Sequence, residues 1–210
     1  MNILFATDFS PGAVAAQGPV GAGRFHLGTT APIVLPEAPC PVLIARPGAA
    51  PVGGPRTYLL AVDASNEAEA ATGFFARLAL APEFAVVLLS VADVRRVIPE
   101  TLARAIEGAP GRNRTLATFR ERARELAARA LARAAEVLRR RGIPFVEAIR
   151  EGHAAEAIVE EARARGAELL VLGARAAGTL GGVTRKVARY ADCSVLAVRG
   201  KAPENGVRGG

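Results

Sequence analysis

Three observations predict an α/β fold, a mostly parallel sheet with helices on both faces. Short apolar runs alternate with longer helical stretches through the last three-quarters of the 210 residues. One of those runs, "ELLVLG", is almost wholly apolar, as a strand covered on both faces must be. The stretches between runs repeat their apolar residues at helical spacing and end on turn residues. Five strands joined by four helical crossovers satisfy all three.

The elements follow in order. "TYLLAVD" (57–63) is an apolar run halting at Asp63-Ala64-Ser65, residues suited to a turn and a helix start. A helix follows, with Ala68, Ala71, Phe74, Phe75 and Leu78 on one face. "AVVLLSVA" (85–92) is a β-branched run and a second strand. Prolines and glycines between 93 and 112 read as a long loop with one short helical turn. From 113 to 141 a long helix turns Leu116, Phe119, Ala123, Leu126, Ala130, Ala134 and Val137 inward, and Gly142 and Pro144 end it. "PFVEAIR" (144–150) alternates weakly and serves as a third strand. Gly152 opens a helix through Arg165, with Ala155, Ile158, Val159 and Ala162 on its apolar face, and Gly166 closes it. "ELLVLG" (168–173), a glycine-rich loop, a short helix ending near Tyr190 and the strand "SVLAVR" (194–199) complete the series. Residues 56–200 therefore read as one complete unit that folds without residues 1–50. Residues 51–55 read as a linker and 201–210 as a disordered polar tail.

Two repeats explain the first 50 residues. "APCPVLIARPG" (38–48) returns as "ADCSVLAVRGK" (191–201), 153 positions later, while "LFATDFS" (4–10) returns as "LLAVDAS" (59–65) after only 55. The difference is 98 positions present in the second copy and missing from the first. The first copy thus reads as a unit without its interior, keeping its first and last strands. Two strands alone are marginal in water, and a bare apolar "PVLIAR" would be an aggregating edge. Residues 42–46 are therefore expected antiparallel to 195–199, within one chain or between two.

Composition excludes several classes. No run approaches the ~18 apolar residues of a membrane span. The N-terminus carries neither a basic stretch nor a cleavage site, and Cys40 and Cys193 sit by apolar strands, so a reducing cytoplasm is the expected location. The net charge of +7 comes from 25 Arg and 2 Lys. Many Arg lie on helices interleaved with Glu, opposite the apolar stripe, which is the pattern of a solvated surface and not of a nucleic-acid interface.

The segments in their order resemble the universal stress protein family. "ILFATDFSPGAVAA" and "GRFHLGTTAPIVLPEAPCPVLIARPG" resemble the two ends of such a domain. "LLAVDAS", "LLSVAD", "EGHAAEAIVEEARARGAELLVLGAR" and "VTRKVARYADCSVLAVRG" resemble a complete one. The resemblance implies an adenine nucleotide alpha hydrolase-like fold: a five-stranded parallel sheet in the order 3-2-1-4-5, here with an N-terminal partial repeat. It also implies dimers or tandem domains joined through their last strands, and in one branch a bound ATP with Mg2+.

The family's nucleotide motif is Gly, two residues, Gly, nine residues, then Gly followed by Ser or Thr. Small residues let backbone N–H groups approach phosphates at a helix N-terminus. In the complete copy the first glycine is Gly173, the second position is Ala176, and the final pair is Gly181-Gly182, with Thr184 two positions on. Gly173 to Gly181 is eight positions where the pattern needs thirteen, so the loop is five residues short. The first copy keeps Gly18 and Gly28-Thr29 but has Ala15 in place of the first glycine. By resemblance, Asp63 lies near adenine and ribose, with Asp8 its counterpart, and Val91 turns its backbone to the adenine edge. Asp63 is equally an ordinary helix cap, and Val91 ordinary core. The implied nucleotide positions are Ala61, Asp63, Val91, Gly173, Arg175, Gly178, Gly181, Gly182 and Thr184.

Catalytic chemistry finds no footing. His26 and His153 lie in different copies with no second ligand at metal spacing, and neither cysteine has a nearby base. "GTLGGVTRK" lacks the Gly-Lys-Ser/Thr of a P-loop. A non-enzymatic module acting through domain pairing, its ATP binding weakened or lost with the shortened loop, is the first expectation. An adenine-nucleotide sensor is the second.

Overall fold

Apolar runs become strands close to where the sequence places them. The computed structural model describes residues 4–6, 35, 38, 40–46, 56–78, 83–105, 112–175 and 181–200. Strands β1 (Leu4–Ala6) and β2 (Val42–Ile44) come from the N-terminal copy; β3 (Arg56–Val62), β4 (Phe84–Ala92), β5 (Phe145–Glu151), β6 (Leu169–Ala174) and β7 (Ser194–Arg199) come from the second. Among the described residues the helices with given bounds are α1 (Asn66–Phe75), α2 (Glu100–Ala105), α3 (Arg112–Arg140), α4 (Ala154–Ala164) and α5 (Gly182–Tyr190). All seven strands form one sheet, ordered β1-β2-β7-β6-β3-β4-β5.

The expectation of a five-stranded sheet is corrected to seven, and the whole order is not 3-2-1-4-5. That order survives as the run β5-β4-β3-β6-β7, which takes up the sheet from its β5 edge to β7. The extra strands enter because β2 pairs antiparallel with β7, Val42 opposite Ala197, Leu43 opposite Leu196 and Ile44 opposite Val195. This pairing covers three residues of each strand, fewer than the five expected. β1 then lies parallel to β2, with Leu4 beside Val42, as Leu170 of β6 lies beside Val195 of β7. By sequence β1 repeats β3, yet it stands where β6 stands in the second copy. With no strand in between, it packs directly against its own last strand.

Helices cover the sheet as the alternation of side chains requires. Leu59 and Ala61 face α4 and α5, packing with Ile158, Val159 and Val187; Tyr58, Leu60 and Val62 face α1 and α3, packing with Phe75, Leu131 and Leu138. Two local expectations fail. The 93–112 interval holds a 3-10 turn (Val94–Arg96) and the whole of α2, not one turn in a loop. Val137 is 36 % exposed, because the buried stripe of α3 runs through Leu131, Ala134, Ala135 and Leu138 and passes it by.

Charges on α3 are tied down on the surface. Arg122 bonds Glu125, Arg133 bonds Glu69, Arg139 bonds Glu147 and Arg140 bonds Glu136. The outer strand β5 carries Glu147, Arg150 and Glu151, each paired with a helix residue, which blunts it against edge-to-edge pairing. No helix among the described residues is long and apolar enough to cross a membrane.

Candidate functional site

The sheet reverses direction of winding between β3 and β6: from β3 the chain moves outward to β4, and later returns to β6 on the other side. In open α/β sheets ligands bind at such a point, beyond the strand carboxyl ends. Asp63 follows β3 there, and its placement is local. Its Oδ1 accepts from the Ser65 backbone N–H at 3.0 Å and from the Ser65 hydroxyl, and Ser65 Oγ in turn accepts from Ala68 N–H at 3.2 Å as the cap of α1. The Arg96 guanidinium reaches Asp63 Oδ2 at 2.8 Å from the turn after β4. Burial opposes the charge on Asp63, but the Ser65 hydrogen bonds and Arg96 outweigh it and hold the carboxyl below its ordinary value.

A cleft of about 180 Å3 opens beside these groups. Leu89, Leu172 and Ile158 form its apolar floor, and Asp63, Glu67, Arg96 and Arg175 its charged rim. Of the nucleotide positions named from sequence, Ala61, Asp63, Val91, Gly173, Arg175, Gly181, Gly182 and Thr184 all line it. Gly178 lies outside the described residues, as do Asp8, Ala15, Gly18, Gly28 and Thr29. Arg96, Ser65 and Glu67 were not named. Ser65 carried a signal as a helix cap; Arg96, one arginine in "VRR", carried none.

The glycines differ in kind. A Cβ on Gly173 would lie 2.5 Å from Glu67 C and 2.8 Å from Ala68 N, so this glycine exists because α1 presses its backbone onto the end of β6. Gly182 has open space where a side chain would be, and Gly181 meets only Thr184 Oγ1 at 4.0 Å. Neither has positive φ, and α5 begins at Gly181 with no side-chain cap. Gly181, Gly182, Val183 and Thr184 bring the first turn of α5 to the cleft wall, at the end of a helix where anions are favoured. Thr184 is otherwise committed. Its buried hydroxyl donates to Gly173 O at 3.0 Å, which leaves it no proton for an anion. The Val91 carbonyl likewise already accepts from Asp93 N–H at 3.1 Å.

Asp93 stiffens the far wall. It is 6 % exposed, its Oδ2 accepts from Ala154 N–H at 3.1 Å, and Arg95 bonds both its oxygens. The carboxylate thus caps α4, a task that His153 at the N-cap does not perform with its side chain. Cys193 is buried and is not among the residues lining the cleft, and burial pushes its thiol up to about 11.

Residues 55–199 match the family model described as Universal stress protein family. Among solved structures, the universal stress protein UspA from Lactobacillus plantarum is 22% identical over 70% of this chain and 99% of its own, with a TM-score of 0.50. A universal stress protein from Archaeoglobus fulgidus DSM 4304 is 18% identical over 79% of this chain and 52% of its own, at 0.52. At such identities these two show the fold and nothing finer. A universal stress protein family protein from Arabidopsis thaliana with AMP bound is 19% identical over 73% of this chain and 97% of its own; its TM-score of 0.49 is too low to bear on this chain. Comparison with curated proteins gives no match.

Proposed function

Because the chain belongs to the universal stress protein family, we propose that it is a non-catalytic stress-response module acting through pairing at its last strand, with ATP binding weak or lost. In this reading residues 1–50 are the remnant of a first domain and 56–200 a complete second one. The observation that carries it is the cleft: at about 180 Å3 it falls short of the ~300 Å3 at which small-molecule pockets begin. The five-residue shortening of the loop and the committed hydroxyl of Thr184 point the same way. Cys193 supports the non-catalytic part, since a thiol titrating near 11 carries almost no thiolate at neutral pH.

Calorimetry with ATP and Mg2+ tests this directly. We expect no measurable heat, or a Kd weaker than about 1 mM, which is ~4 kcal/mol of binding. A Kd in the low micromolar range would overturn the reading.

One observation favours the second reading, an adenine-nucleotide sensor. Among the described residues neither packing nor backbone conformation requires Gly181 or Gly182, yet both line the cleft at the start of α5. If a nucleotide binds, its phosphates lie there, with adenine between Asp63 and Val91. Gly181→Leu would then fill the approach and abolish binding. Unchanged affinity in that variant would put the ligand elsewhere.

A further inference from the structure

Four ionisable side chains line the cleft: Asp63, Glu67, Arg96 and Arg175. Two of them cancel. Arg96 holds Asp63 Oδ2 at 2.8 Å, and Ser65 bonds Oδ1 through both its N–H and its hydroxyl. The two hydroxyls in the lining are committed as well, Ser65 donating to Asp63 and Thr184 to Gly173 O.

Glu67 and Arg175 remain. Among the described residues neither side chain has a hydrogen bond or an ion pair. Glu69, two residues on, shows the contrast, since it bonds Arg133. A place in the first turn of α1 favours the charge of half-buried Glu67 but gives it no partner. Arg175 stands exposed just past the end of β6. The fold thus leaves two opposite charges bordering one cleft without joining them. Leu89, Val91, Ile158, Leu172 and Val183 supply an aliphatic lining beside them.

Size narrows the choice of ligand. A water takes about 30 Å3 of liquid, so a cleft of about 180 Å3 equals about six waters, room for roughly eight to ten non-hydrogen atoms. Charge narrows it further. One unmatched cation does not balance a polyphosphate, whereas one carboxylate and one guanidinium together match a molecule carrying both signs. We propose that the cleft binds a small aliphatic amino acid. Its ammonium lies on Glu67, its carboxylate on Arg175 near the uncapped start of α5, and its side chain on the aliphatic lining. Leucine has the required size and shape. The proposal rests on the reading that ATP binding is weak or lost, and names what the cleft takes instead.

Amide chemical-shift titration of the full chain tests this with three probes. They are L-leucine, 3-methylbutylamine, which lacks the carboxylate, and 4-methylpentanoate, which lacks the ammonium. Leucine should move the amides of Ala61, Leu89, Leu172 and Val183 with a Kd on the order of 0.1 mM. Each half-molecule should bind at least about 10-fold more weakly, the effect of losing one charged hydrogen bond. Glu67→Gln should weaken leucine by a similar factor and leave 4-methylpentanoate unchanged. Arg175→Gln should weaken leucine and leave 3-methylbutylamine unchanged. Neither side chain has a partner to lose, so both variants should melt with the parent chain, and the three-probe comparison needs no variant. Leucine that moves no cleft amide at about 10 mM, or binds no tighter than either half-molecule, would overturn the proposal and leave the weak-ATP reading standing. A low-micromolar Kd for ATP would instead overturn that reading, and the proposal with it.

Discussion

Gly173→Ala should destabilise the protein by about 3 kcal/mol, the upper range for forcing atoms into a packed site. The added methyl would stand within 2.8 Å of three backbone atoms of Glu67 and Ala68, and backbone cannot swing aside as a side-chain tip can. Relief requires α1 to lift from the end of β6, which loosens Ala68, Ala71 and Phe75 from the core at once. For a chain of this size the melting temperature should fall by roughly 10 °C. Gly182→Ala is the control. It has open space and no positive φ, so it should be neutral or stabilise by up to ~1 kcal/mol. Equal losses in the two variants would show that the close approach of α1 is not what position 173 serves.

The second large effect belongs to Asp93. Asp93→Ala removes the cap from Ala154 N–H and leaves the buried start of α4 without an acceptor, for a loss of about 3 kcal/mol. It should also change how stability depends on acid. Burial works against the Asp93 charge, but Arg95 and the Ala154 N–H outweigh it and hold the carboxyl below its ordinary value. A carboxyl lowered on folding contributes stability in full above its unfolded value, near ~3.9, and loses it as pH falls through the lower folded value. The native protein should thus weaken on acidification below about pH 4, and the variant should weaken less steeply. Some slope will remain, since Asp63 is lowered in the same sense. Denaturant titrations at neutral and acid pH measure both slopes; parallel curves would remove Asp93 from the account.

Much of the fold was legible because it is local. The run "SVLAVR" is β7 residue for residue, and Gly142 and Gly166 stop their helices in the positive-φ conformations that favour glycine. The order of the inner strands was not legible from periodicity, which has no view of neighbours, and came from resemblance; the antiparallel seat of β2 on β7 followed from the repeat of the last strand, while the place of β1 beside β2 was not foreseen. The site was legible as a place more than as a mechanism. Gly173 stands out in the sequence as a motif glycine; the structure adds that α1 packs too closely on its backbone for any side chain. Thr184 looked like a donor, but its hydroxyl turns to a carbonyl 11 residues back. Arg96 meets Asp63 across 33 positions and Asp93 caps a helix 61 positions on, pairings that no window of sequence contains.

The register of β2 on β7 also alters how the interface responds to mutation. Between two identical chains, each substitution in the last strand appears on both sides of the axis, and an Ile-to-Val change costing ~1 kcal/mol is felt twice. Here it is felt once, since the facing strand is encoded separately. The two sides already differ: the counterpart positions hold Ile44 and Ala197, so the seam has Ile44 opposite Val195 at one end and Val42 opposite Ala197 at the other. Identical chains cannot adopt that asymmetry, because each pair would have to recur at both ends. Joined in one chain, the two faces of the seam can drift independently, under the same rules as any other part of a hydrophobic core.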